Sequence, residues 1–331
     1  MLQYLIILLD NTSISFCHHK NTMTEKHLMP LDVLKEGIIF GMKENLHIQF
    51  VLPKYQIPLE YWQEMMTIDH SIIASGNVDF EELIPQNVIY QLPNVLVFDD
   101  ISKFKSSPHK TNQTCVLRLE KDILFSHVDI IALSLANVSR LNLTITNIES
   151  FSDNDFKEYD RCLSVLAEAI KNIYLKDGST QLNILTDRMM LKQMNNCDAG
   201  VNNITLAPDG CFYICPAFYQ GDCETITSKK FNIGSLSEGV NIKNAYLYKI
   251  DYAPLCRICD SYHCKRCVWL NYKTTYEVNT PSHEQCVITH LERNASRKLL
   301  NGIRKYAPNF LEGVEIKEIN YLDPFDVRKE L

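Results

Sequence analysis

Several things are scarce in this sequence, and each scarcity excludes something. No Gly/Ser-rich linker, low-complexity tract or internal repeat occurs in the 331 residues, so neither a flexible tether nor a solenoid is expected. Basic residues show no excess, with 33 against 40 acidic and a net charge of −7. That balance lacks the electrostatic footprint of a nucleic-acid binder. No apolar run approaches the ~20 residues that cross a bilayer. The first residues, Met1 to Leu9, are apolar but carry neither a positive n-region nor a small-residue cleavage site, so they read as a buried strand. A cytoplasmic, reducing compartment follows as the expectation, and there structural disulfides are rare. Asn142-Leu-Thr144 then has no meaning as a glycosylation site.

Enough is present for a packed protein. Hydrophobic residues make up 46% and charged residues 22%, and the length suits two domains. Strand-like stretches at 3–9, 47–52, 71–75, 94–98, 115–119, 141–148 and 181–185 alternate with helical patterns at 30–45, 59–66, 122–138 and 153–176. In the last of these, Phe156, Tyr159, Leu163, Leu166, Ile170 and Ile173 hold the spacing of one buried helical face, after Ser152 at the N-cap position. Regular β-α alternation predicts parallel strands with crossover helices, a barrel or open sheet. The strict alternation over 141–148 gives that strand one polar face, which suits a cavity or an edge. Residues 204–215 read as a hairpin around Pro208-Asp-Gly210, with Cys211 and Cys215 on the returning strand; residues 287–306 read as a helix.

Cysteine is the anomaly. Nine of the 12 fall between Cys197 and Cys286, and only Cys17, Cys115 and Cys162 lie outside. Cys256-Arg-Ile-Cys259 and Cys264-Lys-Arg-Cys267 are separated by four residues. Zinc ribbons separate such pairs by ~15–20 residues, whereas compact cysteine runs of iron–sulfur proteins can send one ligand to a second cluster. Iron–sulfur ligation therefore fits the spacing better, zinc remains the alternative, and a disulfide framework comes third. Arg257, Lys265, Arg266 and Lys273 against Asp260 would offset thiolate charge. Cys115 and Cys162 sit in apolar patterns and read as core thiols.

The run Cys197-x12-Gly210-x4-Cys215, then Cys256-x2-Cys259-x4-Cys264-x2-Cys267, then Cys286 resembles the SPASM domain, the auxiliary [4Fe–4S] extension of peptide-modifying radical S-adenosylmethionine enzymes. This chain has four and two residues where the usual pattern has five and three. The resemblance implies that Cys256, Cys259, Cys264 and Cys286 hold one cluster. It gives Cys197, Cys215 and Cys267 to a second, with Cys211 or Cys223 as its fourth ligand. Radical enzymes of this kind also carry Cys-x3-Cys-x2-Cys after their first strand. Here those positions are Cys17, Asn21 and Thr24, so one thiolate of three remains and S-adenosylmethionine binding is doubtful. Cys17 stays a weak catalytic candidate, and the adjacent His18 and His19 would point different ways on a regular element.

Leu8-Leu-Asp-Asn-Thr-Ser-Ile-Ser-Phe-Cys17 together with the SPASM-like run resembles the CXXX repeat peptide maturase family. The expected architecture is α/β: a degenerate radical-type partial (β/α) barrel over 1–196, a SPASM-like iron–sulfur domain over 197–290, and a C-terminal helix and tail over 291–331. The resemblance implies maturation of a cysteine-repeat peptide, with one or two [4Fe–4S] clusters binding peptide thiolates or relaying electrons. A redox partner or second maturation enzyme would join it, with no nucleic acid or membrane. The alternative is a non-catalytic peptide-binding scaffold with structural iron–sulfur or zinc sites.

Overall fold

The computed structural model describes residues 2–85, 92–107, 113–221 and 231–318. In chain order these form β1 (Tyr4–Leu8), α1 (Leu31–Lys43), β2 (His47–Val51), α2 (Leu59–Met65), β3 (His70–Ser75), β4 (Val95–Phe98), α3 (Ile101–Ser106) and β5 (Thr114–Leu119). Then come α4 (Lys121–Ser134), β6 (Arg140–Ile145), α5 (Asp153–Tyr174), β7 (Gln181–Leu182), α6 (Asp187–Met190), β8 (Asn203–Leu206) and β9 (Cys211–Tyr213). The last are α7 (Ala217–Gln220), β10 (Asn232–Ser235), β11 (Gly239–Val240), α8 (Val268–Thr275) and α9 (His283–Arg304). The chain forms two compact units, Met1–Phe98 with Asp198–Tyr252, and Asp99–Cys197 with Ala253–Leu331.

In the first unit the strand order is β11-β10-β9-β8-β1-β2-β3-β4. The strands from β8 through β1 to β4 run parallel, and β8 to β11 run antiparallel. Leu5, Ile7 and Leu8 of β1 are fully buried, as expected of a parallel strand covered on both faces. The hairpin forms as its sequence suggests, with Gly210 at φ +75 in the turn. Cys211 opens the return strand, but Cys215 lies beyond it, because β9 ends at Tyr213 and Pro216 begins α7. Gly76 abuts the Phe98 ring, and a Cβ there would stand 2.3 Å from two ring carbons. Gly76→Ala should therefore lower stability by about 1–3 kcal/mol in urea unfolding, and an unchanged midpoint would show that the ring gives way freely.

In the second unit β5, β6 and β7 are parallel, and α4 and α5 are the crossovers between them. β6 is therefore paired on both sides rather than an edge; Leu141, Leu143 and Ile145 are buried and Asn142 and Thr144 half-buried. β7 stops earlier than its sequence suggests. The Asn183 side chain takes over the ladder, accepting from Leu143 N–H at 2.8 Å and donating to Leu143 O at 3.1 Å, and the chain then turns. α4 kinks at His127, whose backbone leaves helical geometry while its ring meets Ile123 O at 3.0 Å. α5 is anchored at its start: Asp155 accepts from the Ser152 N–H and from Lys121 Nζ, each at 2.8 Å. Those bonds, Lys121 first, hold its pKa near 2. Phe156, Tyr159, Leu163, Leu166 and Ile170 form the buried face of α5, and each such apolar side chain stabilises by roughly 1.5–3 kcal/mol. α9 starts at His283, earlier than its pattern suggests, and runs unbroken to Arg304. Among the described residues no helix is long and apolar enough to cross a membrane.

Candidate metal centre

In the first unit, the loop after β1 is held by its own polar side chains. Asp10 accepts from Thr12 N–H at 2.7 Å and from the Tyr55 hydroxyl at 2.8 Å. Asn21 donates from Nδ2 to the carbonyls of Asn11 and Ser13, at 2.8 and 2.9 Å, and its oxygen accepts from Met23 N–H at 2.9 Å. Gln220, on α7, donates to the same two carbonyls and orients its oxygen towards His19 Nε2 at 3.2 Å, so that nitrogen carries the proton. His19 is fully buried, His18 and Cys17 are half-buried, and Thr24 is exposed. The position where a second cluster thiolate would stand is thus an amide committed to folding the loop. These residues do not fit a cluster that binds S-adenosylmethionine. Asn21→Ala should cost about 1–3 kcal/mol by leaving loop groups unsatisfied, measured as a lowered unfolding midpoint; no change would mean Gln220 alone suffices.

The second unit gathers most of the clustered cysteines. Cys256 and Cys259 lie in a tight turn in which Cys259 N–H donates to Cys256 O at 3.1 Å. Sulfur atoms in this segment receive backbone N–H groups: Ser261 N to Cys259 Sγ at 3.4 Å, Arg266 N to Cys264 Sγ at 3.4 Å, and Leu270 N to Cys267 Sγ at 3.5 Å. Such donors stabilise a thiolate more than a thiol. The third caps α8, where the helix N-terminus favours negative sulfur as well.

Cys259 and Cys264 also reach α9. His290 Nε2 is 3.5 Å from Cys259 Sγ, and Thr289 Oγ1 donates to Cys264 Sγ at 3.9 Å. Positions 289 and 290 are three and four residues beyond Cys286, so Cys286 shares the helix face that meets these two sulfurs. Burial, with Cys259 beside it and Arg266 opposing, lifts the Cys256 thiol to about 11; burial lifts Cys264 to about 12 and Cys259 in the same direction. As bare thiols they are inert, and metal coordination is what would deprotonate them.

Cationic side chains surround this segment. Arg188, Arg266 and Arg293 are nearly fully buried. Arg266 acts on Cys256 and Arg293 on Cys259. Asp260, next to Cys259, binds Arg293 at 3.0 Å and Arg188 at 3.5 Å. Glu292 accepts from the Tyr159 hydroxyl at 2.6 Å and meets His263 Nε2 at 3.0 Å. Three buried guanidiniums stand against the two buried carboxylates of Asp260 and Glu292, and the one remaining positive charge offsets part of the charge of a thiolate-ligated, anionic cluster. The donor set therefore fits a [4Fe–4S] group. Among the described residues no three His, Cys, Asp or Glu side chains are placed to hold one metal ion. A zinc ion needs its donors ~2.3 Å from one point, whereas cysteines of a cube attach to separate irons.

Cys197, which is exposed, lies alongside the second CxxC turn, its N–H donating to Lys265 O at 3.0 Å. In the first unit Cys215 sits near Tyr248. Cys211 is placed instead with Asp209, Asn232 and Glu238, and burial raises its pKa. Cys223 lies outside the described residues. Cys115 and Cys162 are buried core thiols, each lifted to about 11 by burial. The Arg188–Asp260–Arg293 and His263–Glu292–Tyr159 groups were not foreseen from sequence. Only the local Arg257 to Lys273 charge surplus pointed towards them.

The parallel sheet, crossover helices and cysteine-rich segment define a radical S-adenosylmethionine/SPASM-type fold. Among solved structures, the polyhistidine-tagged anSMEcpe with bound AdoMet is similar at a TM-score of 0.61 and 14% identity, over 93% of this chain and 96% of that one. The native anSMEcpe with bound AdoMet and Cp18Cys peptide is similar at 0.59 and 14% identity, over 91% and 99%. These are anaerobic sulfatase-maturating radical enzymes with a SPASM domain. No family model matches the chain, and no curated protein does.

Proposed function

We propose that the chain is a peptide-maturation protein of the radical/SPASM type, working through an auxiliary [4Fe–4S] cluster on Cys256, Cys259, Cys264 and Cys286. The observation that carries this reading is the nest of N–H-supported sulfurs facing the Cys286 side of α9. The cysteine spacing alone, with no placement from the structure, gives Cys197, Cys215 and Cys267, with Cys211 or Cys223, to a second cluster. When bound, such a cluster supplies electron transfer or an iron site for a peptide thiolate. The substrate would be a cysteine-containing peptide, with the CXXX repeat class as the specific expectation. A peptide-bound similar structure supports that choice of partner. A redox partner and a cytoplasmic setting belong to the same proposal.

The committed Asn21 amide favours a second reading, in which the chain binds and presents the peptide without radical chemistry of its own. Incubation of reconstituted protein with a Cys-x-x-x repeat peptide, reductant and S-adenosylmethionine separates the two. A peptide mass change that does not need S-adenosylmethionine supports maturation at the auxiliary cluster. Binding with no mass change supports the scaffold, and 5′-deoxyadenosine would contradict the absence of a radical cluster in the β1 loop.

A further inference from the structure

In the second unit a cavity of about 700 Å³ lies along α9, lined among others by Arg188, Arg297, Arg304, Glu312, Glu315 and Glu318. Its charges divide by origin. All three arginines come from α6 and α9, and all three carboxylates come from the irregular segment 312–318, at three-residue spacing. Arg304 holds the turn that precedes this segment, donating to the carbonyls of Phe310 and Leu311 at 3.2 and 3.1 Å. Leu311 and Gly313 both have left-handed φ, so the chain reverses there.

Beyond the turn the segment is held lightly. Glu318 accepts from Arg188 at 3.1 Å and from Arg297 at 2.8 Å, and Lys317 O accepts from the Tyr262 hydroxyl at 2.9 Å. Its residues are exposed except for the half-buried Ile316. Partly exposed ion pairs of this kind bind weakly. Arg188, in contrast, is only 1% exposed and shares Asp260 with Arg293 and Arg297. If Glu318 leaves, Arg188 keeps Asp260 but its cavity side loses a carboxylate, a place another anion can take.

We propose that this cavity is a docking site for an extended peptide bearing acidic side chains, and that Glu318 of the segment lining it holds the Arg188 and Arg297 end as an internal ligand. Two guanidiniums receive one carboxylate at its inner end, and Arg304 sets the hinge about which the segment lifts. Acidic spacing in the bound peptide would follow that of Glu312, Glu315 and Glu318. The site shares Arg188 and Asp260 with the charges around the cysteine-rich segment, but peptide docking there needs no cluster.

The test is fluorescence anisotropy with a labelled peptide of residues 311–318 added to the full chain. A full-length Glu312→Gln, Glu315→Gln, Glu318→Gln variant should bind the peptide about tenfold tighter than the unaltered protein, because its internal competitor is weakened. A peptide with glutamine at the three positions should bind at least about tenfold more weakly to either protein, and Arg297→Gln should weaken the glutamate peptide similarly. Equal affinity for both proteins overturns the proposal. So does a glutamine peptide that binds as well as the glutamate one, or no binding to either protein; this peptide comparison holds even if a variant folds poorly.

Discussion

Cys286→Ala should remove roughly half of the iron from anaerobically reconstituted protein where both clusters fill, and most of it where only the Cys286 set does, while leaving the fold intact. The four-cysteine set divides between a loop and a helix: Cys256, Cys259 and Cys264 come from the turns before α8, and Cys286 comes from the first turn of α9. Truncating Cys286 leaves the N–H donors to Cys259 and Cys264 in place, and α9 keeps its Ser282 cap, which accepts from Gln285 N–H at 3.2 Å. Iron and the cluster's visible absorption should therefore fall while helical circular dichroism stays. Cys162→Ala is the matched control, because that thiol is buried in α5 and belongs to no proposed ligand set, so iron should be unchanged. Unchanged iron in Cys286→Ala would mean the ligand set is wrong. Equal loss in the control would mean that instability, not ligation, is being read.

Asp260→Ala should have the largest effect on stability, a loss of about 3–5 kcal/mol in urea unfolding. Asp260 is 2% exposed, and its carboxylate receives Arg293 at 3.0 Å and Arg188 at 3.5 Å. Both guanidiniums are at least as deeply buried. Removing the carboxylate takes from Arg293 its ion pair at 3.0 Å and leaves Arg188 with the part-exposed Glu318, stranding buried positive charge. The cost comes from that stranding, more than from the pair's own attraction. Adding Arg293→Met to Asp260→Ala should therefore recover part of the loss. Glu318 also meets Arg188, at 3.1 Å, but it is too exposed to replace Asp260 fully. A loss below about 1 kcal/mol would show that Arg188 and Arg293 find new partners by local movement.

Much of this was legible in the sequence, for identifiable reasons. The parallel strands are short apolar runs with helices between them, a pattern that survives without knowledge of neighbours. Cysteine spacing likewise points to the proposed centre, because two CxxC turns are local features. What was not legible depends on pairings distant in sequence. Arg188 meets Asp260 across 72 residues, and Gln220 orients His19 across 201. Asn21 looked like a lost ligand; only the structure shows that its amide is spent on the Asn11 and Ser13 carbonyls. The polar face of β6 suggested an edge or a cavity; pairing with β7 rules out the edge, while Asn142 and Thr144 on that face are half-buried. Cys215 was expected on a strand, but β9 ends at Tyr213, two residues before it.

On the proposed function, the cysteine-rich segment holds iron–sulfur clusters and the loop after β1 holds none. Iron, acid-labile sulfide and zinc measured together on anaerobically reconstituted protein test it most directly. About four irons per chain with matching sulfide are expected if only the Cys256, Cys259, Cys264 and Cys286 set fills, about eight if the Cys197, Cys215 and Cys267 set fills too, and no stoichiometric zinc in either case. About one zinc per chain with neither iron nor sulfide would contradict it.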